Sequence, residues 1–127
     1  MKFSQPLLTQ NKPTIGTQLY IRGKKATLNE YNVSVALEDY GLEYLFQVWY
    51  WGGRTLRGGQ ILDFLVYPWR IPVQVFGDYW HKQQLSATDR YNLSRLASLF
   101  QREVVILWGG ETNTVEDAKR AVKRKIL

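Results

Sequence analysis

The segment ILDFLVYPWRIPVQVF, residues 61–76, decides the fold of this chain, because it contains two strand-like runs joined by a short turn. Residues 61–68 and 71–76 are both rich in the β-branched and aromatic side chains that favour strands. The residues between the runs, beginning with Pro68, are typical of a turn. We therefore predict two neighbouring antiparallel strands.

Two further elements precede these strands. The run YLFQVWYW, residues 44–51, is a strand of the same kind, and the glycine-rich stretch 52–59 predicts the turn of a hairpin. Before them, Thr27 and Glu30 stand at the spacing of a capping box, and Gly41 ends the helix that the box begins. The first half of the chain is therefore predicted to be a helix followed by a three-stranded antiparallel meander.

The second half of the chain predicts a helix, a strand and a helix. Residues 87–101 carry apolar side chains at helical spacing, and residues 102–108 form a short apolar strand. A helical connection of this length brings the next strand in parallel beside an existing one. Asn113 or Thr114 caps a terminal helix that is acidic at its start and basic at its end. The predicted class is therefore α/β with a parallel fourth strand.

The 127 residues are enough for one domain with a buried core. Residues 1–25 contain Pro6, Pro13 and Gly16 among scattered polar residues, so we expect an extended arm with at most one short strand near residues 18–22. We expect residues 26–127 to form the single domain.

Seventeen lysine and arginine residues against eleven aspartate and glutamate residues give a net charge of +6, which favours a polyanionic partner such as nucleic acid. The absence of cysteine excludes disulfides, thiol nucleophiles and cysteine-ligated zinc. No apolar run approaches the length of a membrane span, and the amino terminus lacks the hydrophobic region of a signal peptide. We expect a cytoplasmic protein without a membrane partner, located in the host cytoplasm if a phage encodes it.

Asp63 and Gln74 are polar residues within otherwise apolar predicted strands. Aspartate is depleted in strands, and a buried carboxylate without a partner costs several kcal/mol, so something should compensate Asp63. Antiparallel pairing would place Gln74 close to it, and a carboxylate with an amide oxygen suits Mg²⁺ or Mn²⁺. The structural alternatives are an ion pair of Asp63 with Arg54 or Arg57, and a Gln74 amide that only bonds to the backbone or to Asp63.

His81 is the only histidine of the chain and follows the strand that carries Gln74. It could act as a general base, bind a phosphate or be an ordinary surface residue. The neighbouring Lys82 adds a cation at the same place, so a titratable group and a positive charge converge on the predicted metal site.

The pattern ILDFLVYPWRIPVQVFGDYWH followed by DRYNLSRLASLFQREVVILWG resembles the core of the very-short-patch-repair endonucleases, within the PD-(D/E)XK nuclease superfamily. The resemblance covers about residues 27–125. The matching features are a helix acid, a metal-binding aspartate, a glycine, aromatic and histidine turn, a helix segment of the Asp-Arg type and a strand that ends near a tryptophan. They fall on Glu30, Asp63, residues 77–81, residues 89–90 and residues 104–108.

The resemblance implies a restriction-endonuclease-like core and metal-dependent hydrolysis of DNA. Asp63 and Gln74 would hold the metal, Glu30 would help to orient its water shell, and His81 would assist proton transfer. The superfamily's third strand normally carries an acidic residue and, two positions on, a lysine, where this chain has Gln74 and Phe76. The very-short-patch-repair branch also lacks that lysine and uses histidine instead.

Nucleic-acid contacts are expected from basic and aromatic residues outside the metal site. Glycines beside Arg54 and Arg57 let the main chain approach a phosphate backbone closely, and Lys24, Lys25 and Lys82 add positive charge. Trp49, Trp51 and Trp80 could stack on bases, although core packing is expected for at least half of the aromatic residues.

A second hypothesis belongs to another class of protein. Gln74 and Phe76 also suit a nuclease fold that has lost catalysis and serves as a nucleic-acid-binding or structural subunit of a larger assembly, such as a phage assembly.

A third hypothesis is a nuclease that acts on RNA or on branched DNA. The fold does not distinguish these substrates from ordinary DNA. Cleavage of both strands by a domain with a single site would need a homodimer or two nicking events.

Overall fold

The computed structural model describes residues 16–77 and 85–127, which form helices on both faces of a sheet. The strands are β1 (Leu19–Ile21), β2 (Lys24–Ala26), β3 (Tyr44–Tyr50), β4 (Gln60–Val66), β5 (Ile71–Phe76) and β6 (Val105–Trp108). The helices are α1 (Leu28–Asp39), α2 (Ala87–Phe100) and α3 (Val115–Lys125), with a short 3-10 turn at Gly109–Glu111. Over these ranges, no helix combines the length and the apolar character needed to cross a bilayer.

The main sheet has four strands in the order β3-β4-β5-β6. The first three strands pair antiparallel, and β6 runs parallel to β5. The predicted α/β class, the meander and the parallel fourth strand are therefore confirmed. The last strand begins at Val105 rather than at residue 102, because Gln101 ends α2 in a left-handed conformation (φ 55°) and the charged residues that follow it are exposed.

The helix starts follow the predicted capping chemistry. The Thr27 side chain accepts a hydrogen bond from the Glu30 amide (3.1 Å), and a Glu30 carboxylate oxygen accepts one from the Thr27 amide (2.9 Å), which completes the capping box of α1. The terminal helix α3 is capped by Thr114, whose side chain accepts from the Asp117 amide. Of the two predicted caps of α3, Thr114 is the one used.

The segment predicted as an extended arm contains more structure than expected. The short strand predicted near residues 18–22 is present as β1, but it pairs with β2 in a two-stranded hairpin. The expected boundary at residue 25 therefore falls inside β2, while residues 1–15 lie outside the described residues. The sequence of β2 is Lys-Lys-Ala, which is too short and too charged to show a strand pattern.

Basic side chains hold this hairpin against β3, an outer strand of the main sheet. Arg22 donates to the Tyr44 carbonyl, and its guanidinium lies 4.0 Å from the centroid of the Tyr44 ring. The Lys24 ammonium donates to the carbonyls of Phe46 (3.0 Å) and Gln47 (3.3 Å). These bonds satisfy edge carbonyls that have no partner strand.

At the opposite edge of the sheet, a basic side chain from the last turn of α3 bonds to a carbonyl of β6 in the same way. The Lys125 ammonium donates to the Ile106 carbonyl of β6 (2.9 Å) and pairs with Glu111. Glu111 in turn accepts from the Trp108 amide and pairs with Arg124. A basic side chain therefore covers a backbone acceptor on each outer strand.

The core is divided between the two faces of the sheet. Helices α1 and α3 pack on one face over a first cluster, whose members include Val33, Leu37, Phe64, Val73, Leu107 and Val122. Helix α2 packs on the other face over a smaller second cluster formed by Leu62, Leu65 and Leu96, with Val48, Tyr50 and Phe100 beside it.

At the same level of the sheet, β3 and β4 both switch the face on which their alternate side chains are buried. Phe46 on β3 and Phe64 on β4 belong to the first cluster, but Val48 and Leu62, two residues away, belong to the second. Regular alternation would place residues two apart on the same face. Gln47 and Asp63 lie between these two paired positions, and Gln47 has the left-handed φ of 57°. Asp63 therefore stands where the strands exchange their buried faces.

Gly109 packs directly against the end of β5. A Cβ added to Gly109 would lie 2.1 Å from the Gly77 carbonyl oxygen, so Gly109→Ala must separate the two chain segments. We expect this change to lower the free energy of unfolding by about 2–3 kcal/mol, as measured by urea denaturation. Gly41→Ala is the control, because it meets open space at φ 72° and has only a backbone effect of about 1 kcal/mol. Equal losses for the two variants would contradict the close packing.

Candidate functional site

Asp63 lies in β4 at the point where β4 and β5 stop pairing through their backbones. The ladder between these strands runs from the Val66–Ile71 pair to the Phe64–Val73 pair. Beyond it, the Asp63 amide donates to the Gln74 side-chain oxygen (2.7 Å), and the Asp63 carboxylate accepts from the Val75 amide (2.7 Å). Side chains therefore replace the missing backbone ladder, and we call this place the strand fork.

Gln74 contributes both ends of its amide to the strand fork. Its oxygen accepts from Asp63, as described above, and its nitrogen donates to the Ile61 carbonyl (3.3 Å). The side chain is buried, with 8 % of its surface exposed. The predicted proximity of Gln74 and Asp63 is therefore present, and it takes the form of the structural alternative, an amide that bridges two strands.

Glu30 is brought to the strand fork by the first turn of α1. Its carboxyl lies close enough to Asp63 for the two groups to form a hydrogen bond when one of them carries a proton. Burial, followed by the negative charge of Glu30, raises the pKa of Asp63 to about 7, although the hydrogen bond from the Val75 amide acts in the opposite direction. We call Glu30 and Asp63 the carboxylate pair.

A second set of contacts fixes the start of α1 beside the ends of the parallel strands. The Asn29 amide nitrogen donates to the Gly109 carbonyl (3.1 Å) and to the Thr112 hydroxyl (2.9 Å). Asn32, one turn later, donates to the Thr112 carbonyl (2.9 Å). These bonds hold the helix turn that carries Glu30. They join residues about 80 positions apart, so local sequence patterns gave no signal of them.

The carboxylate pair has the chemistry of a small cation site. Mg²⁺ is commonly held in proteins by one or two carboxylates, with water molecules and phosphate oxygens completing its shell. One oxygen of Glu30 accepts from the Thr27 amide and one oxygen of Asp63 accepts from Val75, which leaves a second oxygen on each carboxylate. In the described ranges, no cluster of three or more acidic, histidine or cysteine side chains is present. The fit is therefore to an ion held by two carboxylates.

The ion pair of Asp63 with Arg54 or Arg57, one of the structural alternatives considered for Asp63, is not formed. Both arginines are exposed in the loop between β3 and β4, and no hydrogen bond or ion pair in the described part of the chain joins either of them to Asp63. Lys24 lies in the hairpin with its ammonium on β3 carbonyls, and Lys25 is exposed beside it.

The remaining predicted residues, Trp80, His81 and Lys82, lie outside the described residues. The structure therefore brings together Glu30, Asp63 and Gln74, and the predicted roles of the turn after β5 stay predictions.

One contact that the sequence did not indicate joins α2 to the loop between β3 and β4. The Arg95 guanidinium lies 3.9 Å from the centroid of the Trp51 ring and donates to the Gly58 carbonyl (2.6 Å). A shallow depression of about 420 Å³ is lined by Trp51, Ser94, Arg95, Ser98 and Leu99. Arginine and tryptophan at this separation in the sequence form no motif, so only the folded chain reveals the contact.

Comparison with family models finds no match for the chain, and comparisons with curated proteins and with solved structures find none either. The resemblance to very-short-patch-repair endonucleases therefore stays a prediction, and the site has to be interpreted from its own residues.

Proposed function

We propose that the chain is a Mg²⁺- or Mn²⁺-dependent endonuclease with a restriction-endonuclease-like core, which hydrolyses DNA phosphodiester bonds at the carboxylate pair. The observation that carries this proposal is the contact between Glu30 and Asp63 at the strand fork. Two carboxyls held together in a half-buried position destabilise the folded state, and such arrangements cluster at functional sites. A divalent cation between them would remove that cost.

The choice of nucleic acid as the substrate rests on charge and on sequence. The net charge of +6 favours a polyanion, and the resemblance over residues 27–125 implies that Glu30 and Asp63 correspond to the acids of a nuclease site. The order of helix, meander, helix, parallel strand and helix agrees with the predicted nuclease core.

In this proposal Glu30 and Asp63 hold the metal. A bound Mg²⁺ would polarise the scissile phosphate and lower the pKa of a coordinated water molecule. The Thr27 and Val75 amides orient the two carboxylates, because each donates to one carboxylate oxygen. Gln74 keeps Asp63 in place by accepting a hydrogen bond from its amide. His81 would assist proton transfer, as predicted from the sequence.

Metal-dependent stabilisation tests the proposal. At pH 8, millimolar Mn²⁺ should raise the melting temperature of the wild-type protein by about 5 °C or more, since a ligand at 100 times its Kd stabilises the folded state by about 2.7 kcal/mol. Glu30→Gln should abolish the shift. Glu116→Gln is the control, because it removes an exposed carboxylate from the first turn of α3. The same wild-type protein should nick supercoiled plasmid when Mn²⁺ or Mg²⁺ is present.

A catalytically inactive nucleic-acid-binding subunit is the second candidate, and the geometry of Gln74 favours it. Both ends of the Gln74 amide are engaged within the sheet. Phe76, at the position of the usual lysine, packs its ring 5.7 Å from the Trp108 ring centroid. If plasmid stays intact with every metal while DNA is still retarded in a gel, the enzymatic proposal fails and this second function is supported.

A further inference from the structure

The loop between β3 and β4 is a compact structure built around its glycines. A Cβ on Gly59 would lie 2.0 Å from the Gly53 carbonyl oxygen, and one on Gly53 would lie 2.4 Å from the Trp49 ring. The Gly53 amide donates to the Tyr50 carbonyl (3.0 Å), and the Gly59 amide donates to the Leu56 carbonyl (3.0 Å). The loop is therefore folded back on itself, so its exposed side chains are presented from a defined backbone.

Arg95 attaches this loop to α2. Its guanidinium stacks on the Trp51 ring, bonds to the Gly58 carbonyl near the far end of the loop and lies 5.6 Å from the centroid of the Tyr91 ring. Planar guanidinium groups interact favourably with aromatic faces, and the hydrogen bond adds direction to the contact. One side chain therefore links both ends of the loop to a helix and to a second aromatic ring.

Two aromatic side chains at this place are exposed rather than buried. The exposed fraction is 41 % for Trp51 and 63 % for Tyr91. Trp51 also has a left-handed backbone, with φ 53°, which is unfavourable for a residue with a large side chain. Glycine would occupy this conformation without strain, so the tryptophan is not explained by the turn.

The charge of this region has one sign. Residues 51–59 include Arg54 and Arg57 and no carboxylate, and residues 91–99 include Arg95 and no carboxylate. Arg54 and Arg57 are exposed, and neither takes part in a hydrogen bond or an ion pair within the described ranges. Two exposed cations without a partner in the described ranges therefore belong to the same loop as the exposed Trp51 ring. We call Trp51, Arg54, Arg57, Tyr91 and Arg95 the arginine–tryptophan surface.

We infer that the arginine–tryptophan surface binds single-stranded nucleic acid. Unpaired bases stack on Trp51 and Tyr91, while Arg54 and Arg57 contact phosphates, which is the combination used by proteins that hold single strands. Paired bases in a duplex do not offer their faces to such rings. This inference rests on the proposed function in one respect, since it names single-stranded nucleic acid as the class of substrate that the protein holds.

Strand β4 connects the loop of the arginine–tryptophan surface to the carboxylate pair. Asp63 follows Gly59 by four residues along β4, a distance of about 13 Å in an extended strand. The helix that carries Tyr91 and Arg95 and the helix that carries Glu30 lie on opposite faces of the sheet. Binding of an unpaired strand at this surface is therefore separate from cleavage at the carboxylate pair.

The test measures binding without cleavage. Fluorescence anisotropy of fluorescein-labelled dT20 and of a labelled 20-base-pair duplex is recorded in EDTA, so that no metal-dependent reaction can occur. We expect Trp51→Ala to weaken dT20 binding about tenfold while changing duplex binding less than about threefold, because stacking on one ring is lost. Trp51→Gly should have the same effect and relieves the backbone strain, so it shows the loss even if Trp51→Ala folds poorly.

The phosphate contacts have their own readout. Arg54→Ala with Arg57→Ala should reduce the slope of log K against log salt for dT20 by about 1.4, since each phosphate contact to a single strand contributes about 0.7. Arg120→Ala with Lys123→Ala is the control, because it removes two exposed cations from α3 on the other face of the sheet. This control should leave the slope unchanged.

Two outcomes overturn the inference. One is wild-type protein that fails to bind dT20, and the other is dT20 binding that is equal in the wild type, the Trp51 variants and the double arginine variant. Neither outcome bears on cleavage at the carboxylate pair, which the plasmid assay measures separately. Conversely, dT20 binding that depends on Trp51 in a protein that never cuts plasmid supports the surface and removes only the proposed catalysis.

Discussion

At pH 8, Asp63→Asn should make the protein more stable to urea than the wild type by about 4 kcal/mol, and at pH 4 the two proteins should be nearly equally stable. The reason is the position of Asp63 beside Glu30, where burial and the neighbouring negative charge raise the pKa of Asp63 to about 7. An asparagine oxygen can still accept from the Val75 amide, and its nitrogen can donate to Glu30. The variant therefore resembles the protonated wild-type site at every pH.

The sign of the pH dependence follows from proton binding. Between pH 4 and pH 7 the folded protein keeps a proton on Asp63 that the unfolded chain has released, so the folded state binds more protons. The stability of the wild type therefore falls as the pH rises through this window and levels off above it. The variant has no titrating group at position 63, so its stability lacks this decrease.

Urea denaturation at pH 4, 5, 6, 7 and 8 measures this difference. Asp39→Asn is the control, since Asp39 forms an exposed ion pair with Lys119 and should change stability by less than about 1 kcal/mol at each pH. Asp63→Asn should also lower plasmid nicking at least about a thousandfold, because the anionic metal ligand is gone. A variant that is less stable than the wild type at pH 8 would show that the ionised Asp63 carboxylate does not lower the free energy of unfolding.

Gln74→Glu should destabilise the metal-free protein at pH 8 by about 3 kcal/mol. The substituted carboxylate can still accept from the Asp63 amide, but it cannot donate to the Ile61 carbonyl, and it adds a third negative charge beside Asp63 and Glu30. Millimolar Mn²⁺ should restore most of this stability and bind more tightly than to the wild type, because a third anionic ligand strengthens a hard-cation site.

Urea denaturation with Mn²⁺ and with EDTA measures both effects of Gln74→Glu. Gln60→Glu is the matched control, because Gln60 lies on the neighbouring strand β4, is only partly buried and donates to the same Ile61 carbonyl (3.4 Å). It should lose less than about 1 kcal/mol and gain nothing from Mn²⁺. If Mn²⁺ fails to rescue Gln74→Glu, the strand fork is a structural joint and the inactive nucleic-acid-binding function becomes the better proposal.

Local chemistry made most of the fold predictable. The Thr27 capping box, the turn at Pro68 and the apolar spacing of α2 each depend on a few neighbouring residues, and each is present in the structure. The short strand β2 was missed because its stability comes from Lys24 bonding to β3, about 22 residues away, and not from its own side chains.

The candidate site was predictable to a smaller degree. Antiparallel pairing indicated that Gln74 lies near Asp63, but not that the Gln74 amide would take the place of a backbone ladder. Glu30 entered only through the resemblance, because contact between a helix turn and a strand 33 positions later depends on how α1 packs on the sheet. The Arg95–Trp51 stack joins elements that no local pattern connects.

The covered edges of the main sheet limit the ways in which copies of the chain can associate. Arg22 and Lys24 bond to carbonyls of β3, and Lys125 bonds to a carbonyl of β6, so a second chain could extend the sheet at either end only by displacing these cations. Dimerisation, which cutting both DNA strands at once would require, would then have to join helical faces or loops. The same cations would oppose fibril growth when the protein is concentrated.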